Sequence, residues 1–163
     1  MLNVLRNTWA LFFGFALISI AHGLQGTLLG VRSVLEKFSF TSIGFIVTGY
    51  YVGFLLGSIL IPIFLKRVGH IRVFAALASL ASIAILLHTI FIDPYSWFLI
   101  RIITGTSLSG IYVIMESWLN DKSTNQTRGK LLSIYMIITF VFVGLGQLLL
   151  NLSDPAKVDL FIL

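Results

Sequence analysis

The chain has 163 residues, of which 58% are hydrophobic and 10% charged; with a mean hydropathy of +1.01 it lies far outside the range of water-soluble domains. The absence of cysteine removes disulfides, thiolate metal sites and cysteine nucleophiles from consideration. A formal net charge of +5 does not describe a nucleic-acid surface, because the basic residues punctuate apolar runs instead of lining one face.

The apolar runs, taken in order, predict membrane helices. The first covers Thr8–Val31. Its start, with Arg6 and the weak site Ala21-His22-Gly23, mimics a signal peptide, but the apolar character continues past that site. No charged side chain occurs from Phe38 to Leu65, from Val73 to Ile92 or from Leu131 to Ser153. Each stretch can cross a hydrocarbon core of about 30 Å, which takes about 20 helical residues. The further spans are Thr41–Leu65, Val73–Ile92, Pro94–Leu119 and Leu131–Asn151, with a sixth starting near Val158. Asp93-Pro94 and Asp154-Pro155 mark helix starts, since proline suits a first turn and aspartate can cap it. The expected fold class is therefore all-α, a polytopic membrane helix bundle.

Assigned alternately, the loops place Arg6, Lys66, Arg67, Arg72, Lys122, Arg128 and Lys130 on one side and Arg32, Lys37 and Lys157 on the other. That asymmetry puts the amino terminus in the cytoplasm. A sixth helix ending at Leu163 cannot cross the bilayer, so the sequence reads as a fragment of a longer protein, a genuine five-helix protein being the alternative.

Small residues mark close helix contacts in lipid, and Gly49, Gly53 and Gly57 form one stripe on the second helix. They serve packing, or let neighbouring helices slide. Two ionisable groups stand on the fourth helix. Arg101 lies about 9 Å inside the outer end, where a charge faces a cavity or partner, or else snorkels to headgroups. Glu116, near the inner end, is placed to pair with Arg67 or Arg72 and so to hold the cytoplasmic side shut. Gln25, His22, Tyr50, Tyr51, Tyr112 and Gln147 are weaker candidates for a polar pathway, and His88 is expected to reach the interface. No hydrolase elbow, zinc-protease motif, P-loop or dinucleotide fingerprint occurs, and no span holds paired catalytic groups. Neither an enzyme nor a cofactor or metal is expected.

An inside amino terminus, a basic loop between helices two and three and Arg101-Ile102-Ile103-Thr104-Gly105 in helix four resemble the amino-terminal half of the major facilitator superfamily. The loop motif is degenerate: Arg67 and Gly69 match, while Pro62 and Lys66 replace the family's glycine and aspartate. The glycine-proline run of antiporters is missing, with Gly144-Leu145-Gly146-Gln147 in its place. Tyr51–Ser58, Gly69–Ala75, Glu116–Asn120 and Arg128–Tyr135 are similar to the YcaD-type bacterial branch. The resemblance implies a secondary transporter of the bacterial inner membrane, working by alternating access and coupled to protons, with this chain forming one wall of the cavity. Arg101, Gln25 and Tyr50 would serve the substrate or proton pathway, and Glu116, Arg67 and Arg72 the cytoplasmic gate. Expected partners are the lipid bilayer, a small-molecule substrate and the missing carboxy-terminal half, with a monomer when full length and no nucleic acid. A non-transporting scaffold or an inactive fragment is the competing reading.

Overall fold

The computed structural model describes residues 2–162, with side chains from Trp9 onward. The apolar runs become five helices of membrane-spanning length: α1 Leu2–Leu35, α2 Phe40–Val68, α3 His70–Ile90, α4 Pro94–Lys122 and α5 Arg128–Leu148. A 3₁₀ turn, Leu149–Leu152, prolongs α5, and a single turn of α6 follows at Asp159–Ile162. No strand occurs among the described residues.

The helix ends have local causes. Asp93 caps α4, its carboxylate accepting from the backbone N–H groups of Tyr95 at 3.1 Å and Ser96 at 2.9 Å, with Pro94 in the first turn. Ser39 caps α2 by accepting from the Ser42 N–H at 3.2 Å. The largest departure from the sequence expectation is the corner between α2 and α3. The stretch from Lys66 to Arg72 reads as a loop, yet Lys66 and Arg67 close the last turn of α2, Arg72 lies in the first turn of α3, and Gly69 alone joins the two helices. Gly69 has φ +89°, a conformation open to glycine, and its N–H donates to the Leu65 carbonyl at 3.0 Å. Charged residues end an apolar run without ending a helix, because they are good helix formers. The same reason carries α4 on to Lys122 and starts α5 at Arg128. The first helix also runs further in both directions than Thr8–Val31.

Helix α4 is the centre of the bundle, packed on both α2 and α3, while α1 pairs with α5. The α2–α4 seam is the most extensive and runs backbone to backbone. A Cβ on Gly53 would fall on the Ile102 carbonyl, and a Cβ on Gly105 on the Tyr50 carbonyl. Thr106 Oγ1 fixes the seam by donating to the Gly53 carbonyl at 3.1 Å. Close approach of this kind replaces the hydrophobic effect as the source of helix association in lipid. The glycine stripe is therefore a packing surface in this conformation.

Two apolar clusters fill the bundle. One, toward the basic end, holds Phe15, Ile111, Ile114, Met115, Leu119 and Tyr135. The other, at the opposite end, holds Leu24, Leu28, Ile46, Trp97, Leu160 and Phe161. Large apolar side chains also cover the lateral surface, among them Phe13, Leu55, Ile83, Ile137 and Phe140. A continuous apolar exterior around a packed interior suits hydrocarbon as the solvent.

Candidate functional site

The interior of α4 carries one charge. Arg101 is 8% exposed, and its guanidinium carbon stands 4.6 Å over the centre of the Tyr50 ring on α2, a cation–π contact. The other face of the cluster comes from α1, where His22 stacks against Tyr50 with ring centroids 5.8 Å apart and an interplanar angle of 15°. One turn along α1, Gln25 is 4% exposed. Arg101 Nη1, Gln25 Nε2 and His22 Nδ1 are all buried without a hydrogen-bond partner. Buried polar groups are satisfied in most proteins, so a knot of them marks a place that takes a partner from outside. The structure thus brings together Arg101, Tyr50 and, beside them, Gln25.

A run of aromatic rings leads from this cluster toward the basic end. Tyr50 adjoins Phe54 at 6.1 Å, Phe54 adjoins Tyr112 at 6.2 Å, Tyr112 meets Phe15 at 5.9 Å and Phe15 meets Tyr135 at 5.1 Å. Glu116 lies beside Tyr135 at the end of that run. Tyr51 packs edge-on against Tyr50 but is largely exposed, and Gln147 is exposed on α5.

The expected pair of Glu116 with Arg67 or Arg72 is not formed in this structure. The ion pairs among the described residues are Arg32–Glu36 at 2.6 Å and His70–Asp121 at 3.7 Å. Helical rotation explains the difference: Ser117 and Asp121, four residues apart, share the face of α4 that meets the α2–α3 corner, while Glu116 is turned by about 100° toward α5. The corner is held instead by His70, whose Nε2 shares a hydrogen bond of 3.1 Å with Ser117 Oγ and whose ring lies 5.9 Å from that of Trp118. Arg67 and Arg72 are exposed.

Two groups escaped the sequence reading. His88 does not reach the interface: it is 1% exposed, its Nδ1 bonds the Ala84 carbonyl at 2.8 Å, and its ring meets Trp97 edge-on at 5.3 Å. Its Nε2, with Trp97 Nε1, adds two more buried polar atoms without partners. The signal for His88 was its spacing of four from Ala84, the buried stripe that α3 turns toward α4.

Five apolar helices around a desolvated arginine and a knot of unpartnered polar side chains define a polytopic α-helical membrane protein with a polar site in its interior. The chain belongs to the Major Facilitator Superfamily, whose family model matches residues 11–152. It is 29% identical over 146 residues to the proteins called "Uncharacterized MFS-type transporter YcaD" in Escherichia coli O139:H28 and O157:H7. The match covers 90% of this chain and 38% of those relatives, so the chain spans well under half their length. No solved structure matches it.

Proposed function

We propose that the chain forms the membrane-embedded amino-terminal portion of a secondary active transporter, which carries a small solute across the bacterial inner membrane by alternating access coupled to protons. The amino terminus lies in the cytoplasm. Membership of the superfamily and the printed name of the Escherichia coli relatives support the reading. So does the distribution of basic side chains between the two ends of the bundle.

The observation that carries it is Arg101. Burying a guanidinium in an apolar bundle is costly, and such groups face a partner or a pathway. Stacking on Tyr50 orients it without neutralising it. Tyr50 and Gln25 line the same interior, and the aromatic run toward Glu116 gives a solute a polarisable wall from one end to the other. The gate at the basic end joins the α2–α3 corner to α4 through His70, Ser117 and Asp121 in the present conformation. Arg67, Arg72 and Glu116 stand close to that corner and are assigned to the opposite state, in which the corner rearranges.

The test is flux. Full-length protein in proteoliposomes, with a pH-sensitive dye inside, is challenged with carboxylates, sugars, amines and amino acids under an imposed pH gradient. At least one class is expected to move protons above the protein-free control, and Arg101→Ala is expected to abolish that signal. Wild-type flux in Arg101→Ala contradicts the role given to this residue.

A further inference from the structure

We infer that Arg101, Gln25 and His22 form the head-group site for a small organic monocarboxylate. This deepens the transporter reading above and rests on it. The first support is charge. A guanidinium keeps its proton throughout the accessible pH range. Among the described residues no carboxylate lies within ion-pair distance of Arg101. Asp93 is committed to capping α4, and Glu116 is 15 residues away along the same helix, about 22 Å at the helical rise. The counter-charge comes from a ligand.

The second support is the sign of the open valences. Arg101 Nη1 and Gln25 Nε2 can only donate hydrogen bonds, and both are buried without an acceptor. A ligand that satisfies them presents oxygens. Tyr50 covers one face of the guanidinium, which leaves its edge as the donor surface, and a planar carboxylate matches that edge with two parallel bonds. The site holds one permanent positive charge, which matches a monoanion; a dianion would bring a second, uncompensated charge among apolar walls.

The third support is the adjoining space. His22 and Gln25 border a cavity of about 200 Å³ between α1, α3, α4 and α6. Its other walls include Leu24, Ala81, Ile85 and Leu108. A polar head beside an apolar chamber of that size fits a carboxylic acid with a short hydrocarbon body.

The experiment is equilibrium binding to the full-length protein in lipid nanodiscs, read by thermal unfolding and by titration calorimetry. Benzoate is compared with its neutral isostere benzamide and with inorganic phosphate. Benzoate is expected to bind saturably, and benzamide and phosphate at least tenfold more weakly. Arg101→Lys, which keeps the charge but loses the two-pronged edge, is expected to weaken benzoate at least tenfold, and Gln25→Leu at least threefold. Gln25→Leu, neutral by design, keeps the test open should the arginine variant fail to fold. Benzamide or phosphate binding as tightly as benzoate overturns the inference, as does wild-type benzoate affinity in a folded variant of either residue. Flux of a sugar or amine with no benzoate binding overturns it while leaving the transporter reading intact. Benzoate binding that depends on Arg101, with no flux of any solute, upholds it and overturns that reading.

Discussion

Tyr50 touches α4 twice. Its ring lies under Arg101, with the guanidinium carbon 4.6 Å from the ring centre, and its backbone carbonyl occupies the space a side chain at position 105 would need. Residues 101 and 105 are one helical turn apart, so one residue of α2 reads the same face of α4 at two heights. The helix seam and the polar site are therefore one structure: any change that separates α2 from α4 also uncovers the charge.

The ring contact can be isolated by substitution. Tyr50→Phe retains the π face and is expected to leave stability nearly unchanged, whereas Tyr50→Leu removes it and is expected to cost about 1–2 kcal/mol, the range for a desolvated cation–π pair. Thermal unfolding in detergent, with Arg101→Met completing a double-mutant cycle, measures the coupling. Equal losses in Tyr50→Leu with and without Arg101 would show that the ring serves only packing.

The seam itself should tolerate no added volume. Gly53→Val places branched carbons on the Ile102 carbonyl and is expected to prevent folding, giving an aggregated species on size-exclusion chromatography. Gly44→Ala on the same helix meets nothing within 4 Å and is expected to elute as the wild type does.

The cap of α4 predicts a pH dependence. A hydrogen bond from the Ser96 side chain, with backbone N–H bonds from Ser96 and Tyr95, holds the Asp93 carboxyl below the usual carboxylate range. A carboxyl lowered on folding adds stability that is fully present above its unfolded value and is lost as the pH falls through its folded value. Unfolding temperature should thus show no Asp93 step near neutrality and a drop in strong acid. Asp93→Asn, which still caps but does not titrate, should lack that drop, while Asp93→Ala should be less stable at every pH.

The fold was legible in the sequence because lipid imposes a simple rule: uncharged apolar runs of bilayer length must be helices. Charge marked where those runs end, but not where the helices end, which is why Lys66, Arg67 and Arg72 proved helical around Gly69. Arg101 stood out as the charge inside a span, and its partnership with Tyr50 follows once the glycine stripe fixes α2 against α4. What the sequence could not supply was rotation about each helix axis. That quantity turns Glu116 toward Tyr135, gives the α2–α3 corner to His70 and Ser117, and carries His88 into the core. A membrane helix that is apolar all round offers no amphipathic face from which to read it.

The threading of the chain is tested most directly by cysteine mapping, which the absence of native cysteine makes clean. Single substitutions Lys37→Cys, Lys66→Cys, Lys130→Cys and Lys157→Cys are labelled in sealed inner-membrane vesicles of known orientation with an impermeant thiol reagent. Positions 66 and 130 are expected to react from the cytoplasmic face alone, and positions 37 and 157 from the opposite face alone. Reaction of 66 and 130 from opposite faces would contradict the five-pass layout and the transporter built on it.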